Sequence, residues 1–292
     1  MTTLETAREL FGATIRVSTP LVFAALGGLF SERSGVVNIA LEGKMLVGAL
    51  GAAVGTLASH SPWIGLACGA GAGMALAALY AVTVIQLRAN QIVAGTAINM
   101  LAFGVTPFVC KLAYDVTGST PDVPSENRFH AAPFYLCWAL VIGCWFWMRK
   151  TRGGLWVNFA GENPEALDAA GIRVNRVRWL AVLASGALAG IGGATLSICL
   201  ASRFSRDMTA GRGFMALAAL IFGKWRPVPA ALACLLFGFT EALQIRLQLW
   251  DQNPVPAQFV QVLPYVVTVL VLAGFVGHSR APKALGTTFS RD

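Results

Sequence analysis

Charged residues are scarce in this sequence. They make up 12% of its 292 residues, whereas a soluble domain carries roughly 25%. Hydrophobic residues account for 56% and the mean hydropathy is +0.64, which is more than a soluble core of this length needs. The composition therefore excludes an ordinary soluble domain and indicates a protein of the lipid bilayer.

The groups that most chemistry needs are also missing or scattered. The three histidines are isolated, and no C-x-x-C spacing occurs, so we interpret the six cysteines as small packing residues rather than disulfides or metal ligands. No G-x-x-x-x-G-K-[ST] loop occurs, because the Gly-Lys pairs at residues 43–44 and 223–224 fail in spacing and lack the hydroxyl residue. We expect no metal site, no catalytic residue and no ATP site in this chain.

Long charge-free runs dominate what is present. A helix needs about 20 apolar residues to cross a bilayer, and continuous rather than alternating runs favour helices over a barrel. The run of residues 45–87 is long enough for two helices, with a turn predicted at residues 60–63 (HSPW). Shorter apolar stretches at residues 11–30, 213–223 and 227–249 cross the membrane or enter it partway. We predict an all-α polytopic bundle of about eight to ten membrane segments, forming a single domain over residues 1–292. The long runs are residues 45–87, 89–110, 129–148, 179–202 and 252–279.

The basic residues lie between these runs, so the net charge of +8 is a topology signal rather than a sign of nucleic-acid binding. The densest basic group lies within residues 149–178 on both sides of one loop, and a second lies in the tail from residue 280. Both are expected in the cytoplasm, which puts Lys224 and Arg226 inside and residues 114–130 and 250–257 outside. The charges before residue 17 nearly cancel, so the side of the amino terminus stays open. No cleavable signal is expected, since no small-x-small site follows a short apolar core.

A short soluble-looking segment lies in the loop between these basic residues. Asn163 is a good N-cap, Pro164 fits the first helical turn, and Gly171 is a natural stop. Glu165 and Asp168 favour the positive end of the helix dipole. The predicted helix of about seven residues is too short to be stable alone in water, so something must hold it. It is either a solvated connector or a docking element for a cytoplasmic partner, with an apolar surface of Ala166, Leu167, Ala169 and Ala170.

Residues 165–171 (EALDAAG) resemble the EAA-x-x-x-G coupling loop of ATP-binding-cassette (ABC) importer permeases. Residues 26–43 (LGGLFSERSGVVNIALEG) look like the signature of the nucleoside-type permeases, which are relatives of the ribose and branched-chain amino acid permeases. Residues 90–99 (NQIVAGTAIN) and 208–227 (MTAGRGFMALAALIFGKWRP) are similarly placed, so the resemblance covers nearly the whole chain. One departure is Lys44, where that subgroup typically has an apolar residue.

The resemblance implies a bacterial cytoplasmic-membrane importer for nucleosides. Its expected partners are a cytoplasmic ABC ATPase subunit that binds ATP and Mg, a second permease subunit, homologous or identical, an extracytoplasmic substrate-binding lipoprotein, and membrane lipid. This chain is expected to bind no cofactor of its own. The loop at about residues 158–176 is then the coupling element to the ATPase, through Asn163, Pro164, Glu165, Ala166, Leu167, Asp168 and Gly171.

Polar residues at membrane depth are costly, so they face a cavity or one another. Amides and carboxylates suit the hydroxyls and base edge of a nucleoside. The alternative for each residue is an interhelical hydrogen bond that holds the bundle. The candidate pathway residues are Asn38, Glu42, Gln91, Asn99 and Glu241, with Gln244 beside the last.

Two further observations bear on mechanism. Residues 31–51 and 205–223 are weakly parallel, each a charged turn leading into a helix of small residues, which hints at an internal repeat. An ion-coupled carrier would display a buried relay of carboxylates or histidines, and a membrane enzyme would cluster His, Asp or Ser at one interface. Neither pattern occurs, so the importer subunit is the favoured function class and the carrier is the alternative.

Overall fold

The computed structural model of the chain describes residues 3–248, the isolated positions 262, 266, 267 and 270, and residues 280–289. Within these ranges the chain is helical, with one isolated bridge between Ser119 and Ser205 and no strand. The predicted all-α class is confirmed.

Ten α-helices follow one another through the described part of the chain. Helix α3 continues into a π-turn at Val82–Gln86 and α8 into another at Leu196–Leu200, while a 3-10 turn at Ser125–Asn127 precedes α5. The helices are α1 (Thr3–Arg33), α2 (Leu41–Ser59), α3 (Pro62–Ala81), α4 (Gln91–Tyr114), α5 (Ala132–Lys150), α6 (Arg152–Glu162), α7 (Pro164–Ala169), α8 (Val174–Thr195), α9 (Arg212–Phe222) and α10 (Pro227–Gln248).

Seven helices among the described residues are long and apolar enough to cross a membrane: α1 to α5, α8 and α10. This is fewer than the eight to ten segments predicted. Helix α9, with 11 residues, reaches only about 16 Å and cannot cross alone. The predicted span at residues 252–279 lies outside the described residues.

The turn predicted within the longest apolar run is confirmed. His60 takes a left-handed conformation (φ 53°) at the end of α2, and Pro62 opens α3. A proline fits the first turn of a helix because its missing N–H would have no partner there. The run of residues 45–87 therefore holds two antiparallel helices.

The basic segments gather at one end of the bundle, which we call the basic end. A salt bridge of 3.6 Å joins Arg33 to Glu162, at the ends of α1 and α6. The backbone N–H of Ala284 donates to the carbonyl of Gly161 (2.8 Å), and that of Gly286 to the carbonyl of Gly35 (3.0 Å). Helix α1 thus runs towards the basic end and begins at the other. If basic loops face the cytoplasm, α1 begins outside, which the amino-terminal charges alone left open.

Close backbone contacts hold α2, α3 and α8 together. A side-chain carbon on Gly48 would collide with the backbone of Gly190, and one on Gly73 would collide with the backbone of Gly186. Small residues allow such approach where lipid supplies no hydrophobic drive between helices. These glycines therefore lie on the surfaces through which the three helices pack.

Two irregular segments divide the membrane region. Residues 34–40 lead from α1 into α2, and residues 201–211 lead from the π-turn after α8 into α9. Helix α2 runs away from the basic end, whereas α9 runs towards it, and the two begin against each other. The two weakly parallel parts of the sequence thus each consist of an irregular segment followed by a helix, and the two helices run in opposite directions.

Candidate functional site

The first residues of α2 and α9 meet through a carboxylate. Glu42 accepts hydrogen bonds from the N–H groups of Gly211 (2.9 Å) and Gly213 (2.6 Å), and only 1% of Glu42 is exposed. A negative charge is stabilised at a helix amino terminus, where N–H groups lack intrahelical partners. A side-chain carbon at Gly213 would lie 2.5 Å from the backbone nitrogen of Glu42, so glycine is required for this approach.

The irregular segment before α2 is fixed by Asn38. Its Oδ1 accepts from Lys44 Nζ (2.5 Å) and its Nδ2 donates to Ser185 Oγ (2.6 Å) on α8. Lys44 is fully buried, with its ammonium 4.7 Å from the ring centre of Tyr80. Lys44, which stands where the nucleoside-type permeases typically have an apolar residue, therefore packs inside the bundle and holds Asn38.

Two amides on α4 hold the same segment from the other side. Gln91 Oε1 accepts from the N–H of Val37 (2.8 Å). Asn99 accepts from the N–H of Gly43 (2.8 Å) and donates to the carbonyl of Ile39 (3.0 Å). Backbone groups without a helical partner must be satisfied in this way when they are buried.

We call Asn38, Glu42, Gln91 and Asn99 the central polar layer. The structure brings these four predicted pathway residues together around residues 37–43 and the start of α9. Their contacts are those of the interhelical alternative. Contact with a substrate stays a prediction for all four.

The fifth candidate lies in a different setting. Glu241 on α10 is hydrogen-bonded and ion-paired to Arg212 at the start of α9. Their side chains are 16% and 23% exposed, respectively. Gln244, one turn further along α10, is half-buried.

Unsatisfied polar atoms concentrate around this pair. Across residues 3–248 and the described tail, four buried side-chain polar atoms lack a hydrogen-bond partner. Three of them are Thr209 Oγ1, Arg212 Nε and Glu241 Oε2, and the fourth is on Arg128. We call Thr209, Arg212 and Glu241 the α9–α10 cluster. Leaving such groups unpaired costs about 1–3 kcal/mol each, so the cluster is suited to accept a polar guest.

Sequence reasoning found Glu241 but missed Arg212 and Thr209. A signal was available, because Arg212 is the one charged residue between Asp207 and Lys224, and Glu241 is similarly isolated in the next apolar segment. Two lone opposite charges at membrane depth are expected to find each other.

The short helix predicted in the loop between the basic residues is present as α7, with six residues rather than seven. Asn163 Oδ1 accepts from the N–H of Ala166 (3.0 Å), as an N-cap does. Gly171 has φ +80°, and the N–H of Ile172 donates to the carbonyl of Leu167 (3.2 Å), which completes a Schellman ending with the Gly171-to-Asp168 bond (2.8 Å).

The predicted apolar docking surface needs one correction. Leu167 is 4% exposed and packs in the core of the bundle, so it anchors α7 instead of facing outwards. Glu165, Ala166, Ala169 and Ala170 are exposed. Docking of a partner on these residues stays a prediction.

A buried arginine joins α6 and the carboxyl-terminal tail to the segment that leads into α2. Arg178 donates to the carbonyls of Ser34 (3.1 Å), Ala160 (3.3 Å) and Thr287 (2.8 Å), and is 2% exposed. These carbonyls belong to the irregular segment before α2, to α6 and to the tail. Arg178 therefore ties three segments of the basic end to one point.

The arrangement holds no metal-binding cluster of His, Cys, Asp or Glu within the residues that the structure describes. The six cysteines, which all lie among the described residues, are not paired with one another. What the geometry offers is a helical bundle with two broken elements, buried polar groups where they meet, and a small capped helix at the basic end.

Comparison with known proteins places this bundle among transporters. The model of the family described as "Branched-chain amino acid transport system / permease component" matches residues 10–272. The nucleoside ABC transporter permease protein NupC of Lactococcus lactis is 37% identical, with 99% of each chain covered. The guanosine ABC transporter permease protein NupQ of Bacillus subtilis is 38% identical, with 95% of each covered. A putative glucose ABC transporter permease protein of Haloferax volcanii is 33% identical, with 98% of each covered. No solved structure matches the chain.

Proposed function

Because this chain belongs to the family of permease components of branched-chain amino acid transport systems, we propose that it forms the membrane pathway for a nucleoside. It is the permease subunit of an ABC importer and a multi-pass protein of the inner membrane, with seven candidate spans in its described part. The nucleoside is the part that we propose.

The choice of a nucleoside as substrate rests on two relatives. The nucleoside and guanosine permeases match almost the full chain, at 37% and 38% identity. The putative glucose permease at 33% identity favours a second candidate, a monosaccharide. Both classes are neutral and rich in hydroxyl groups, so the same amide, hydroxyl and carboxylate groups suit either.

The proposed machine has this chain beside a second permease subunit, an extracytoplasmic binding lipoprotein and a cytoplasmic ATPase. ATP and Mg bind to the ATPase, because this sequence has no phosphate-binding loop. The partner ATPase docks on the exposed face of α7, with Leu167 anchoring the helix so that its movement reaches α6 and α8.

Within the pathway we assign the substrate contact to the α9–α10 cluster. A partly exposed ion pair at membrane depth is costly against lipid, so it faces a water-filled pathway or the second permease subunit. Glu241 Oε2 accepts from a hydroxyl or amine of the substrate, while Arg212 Nε and Thr209 Oγ1 donate to its oxygen or nitrogen atoms.

Reconstitution tests the proposal. The assembled complex in liposomes is expected to take up labelled guanosine or uridine when ATP is supplied on the ATPase side, and to take up glucose poorly. Preferential uptake of glucose would show that the substrate is a monosaccharide and not a nucleoside. Uptake by this chain alone, driven by an ion gradient without the ATPase, would contradict the importer mechanism.

A further inference from the structure

A cleft at the basic end lies apart from the proposed substrate contact. It has a volume of about 600 Å³ and lies where α1 and α5 end and α10 begins. Its polar lining consists of Arg33, Arg149, Arg226 and Asn158, beside Trp145 and Trp225. Three arginines therefore share one cavity.

The positive charge of this cleft is only partly balanced, because Glu32 accepts from the indole N–H of Trp225 (2.6 Å) and Glu162 pairs with Arg33, which leaves Arg149 and Arg226 without a carboxylate in the described part of the chain. Arg33 contacts Glu162 at 3.6 Å and donates to the carbonyl of Trp225 (2.9 Å). Among the described residues no carboxylate lines the cleft, and none lies within 4 Å of the guanidinium of Arg149 or Arg226. Like charges in one cavity repel, and an anion between them relieves that repulsion.

The guanidinium groups are also placed for planar recognition. Arg149 stacks 5.3 Å from the ring centre of Trp145, which limits its motion, and the backbone contact of Arg33 limits the second arginine. Arginine presents paired N–H donors that match two oxygens of a phosphate. Phosphate is thus the anion that this lining suits best.

The position of the cleft relative to the membrane indicates which molecule supplies the phosphate. Trp145 and Arg149 lie in the last two turns of α5, and Pro227 opens α10, so the cleft lies where spanning helices leave the hydrocarbon. Helix α5 is the least buried of the seven candidate spans, so this region is at the edge of the bundle. The apolar lining, Met148, Pro227, Val228 and Pro229, continues from the arginines.

We infer that this cleft binds the phosphate headgroup of an anionic phospholipid from the leaflet at the basic end. The three arginines hold the phosphate, and the apolar lining contacts the upper part of the acyl chains. Basic pockets between membrane helices on the cytoplasmic side recognise headgroups in this way. The site is separate from the proposed nucleoside contact, and a failure of either leaves the other standing.

The full chain, purified in detergent, can be tested by native mass spectrometry with added phosphatidylglycerol or phosphatidylcholine. The variant Arg149→Gln/Arg226→Gln is compared with Arg173→Gln/Arg176→Gln, which removes the same charge from exposed residues at the same end but outside the cleft. We expect the cleft variant to retain phosphatidylglycerol on the order of ten-fold less, and the control variant to match the parent. Phosphatidylcholine binding is expected to be weak in all three.

Several results would overturn the inference. Equal loss in both variants would show a diffuse effect of surface charge, and no loss in either would remove the site. Displacement of the lipid by millimolar inorganic phosphate would assign the cleft to a free anion. Loss of ATPase co-purification with unchanged lipid binding would make the cleft a protein contact.

If the glutamine variant fails to fold, the variant Arg149→Lys/Arg226→Lys can replace it, because it keeps the charge. We expect this variant to retain the preference for phosphatidylglycerol, with a several-fold loss of binding. Full loss of binding in this folded variant would also contradict the site.

Discussion

Glu42 and Glu241 are both carboxylates inside the membrane region, yet their surroundings differ. Glu42 is 1% exposed, and each of its oxygens accepts from a backbone N–H. Glu241 is bound to Arg212 through one oxygen, whereas the other has no partner among the described residues. A carboxylate whose two oxygens both accept hydrogen bonds from the protein holds the scaffold, whereas one with an unpaired oxygen can bind a passing substrate.

The largest effect on stability is expected for Glu42→Ala. The change leaves the buried N–H groups of Gly211 and Gly213 without acceptors and removes the charge from the start of α9. Two hydrogen bonds to a charged group contribute about 3–5 kcal/mol together. Thermal unfolding in detergent should show a strongly lowered Tm, or no folded protein at all. A Tm equal to that of the parent would remove the distinction between the two glutamates.

A smaller loss is expected for Asn99→Leu, which removes one side chain of the central polar layer. The N–H of Gly43 and the carbonyl of Ile39 then lose their partner, at a cost of about 2 kcal/mol. The same unfolding assay measures it. Thr96→Leu on the exposed face of α4 is the matched control and should unfold like the parent. If Asn99→Leu keeps its stability but loses transport, Asn99 contacts the substrate rather than the scaffold.

Glu241→Gln should lower stability by about 1–2 kcal/mol, because an amide of the same shape still accepts from Arg212 but no longer balances its charge. Transport should fall about ten-fold or more if the free oxygen binds the substrate through a charge-assisted hydrogen bond, since ten-fold corresponds to about 1.4 kcal/mol. The measurement is nucleoside uptake per ATP hydrolysed in liposomes. A lowered Tm with unchanged uptake would place Glu241 in the scaffold beside Glu42.

The smallest effect on stability is expected for Glu165→Ala, because Glu165 is exposed on α7. If α7 is the docking element, this change lowers nucleoside-stimulated ATP hydrolysis while insertion and Tm stay unchanged. Asp115→Ala, an exposed acidic residue on the opposite side of the membrane, is the control. Equal ATPase stimulation in both variants would leave α7 as a connector.

The sequence predicts the local features of this molecule well. Long charge-free runs form helices because the bilayer leaves a backbone no other way to satisfy its hydrogen bonds. Helix α7 was predicted because its caps lie within ten residues of one another. By contrast, Glu42 caps a helix that begins about 170 residues later, and no local pattern reveals such a partner. The burial of Leu167 was missed for the same reason, since the core that receives it is built by distant helices.

The meeting of α2 and α9 has a mechanical consequence. Helices α2 and α9 run in opposite directions from a shared contact, so the Glu42 contact joins an element directed towards each face of the membrane. Separating the two helices would strip a buried carboxylate of both its donors, which is costly, whereas rotating them together keeps these bonds. Movement of α2 and α9 is then expected to keep this contact intact and to spare residues 34–40, whose backbone is held by Gln91, Asn99 and Arg178.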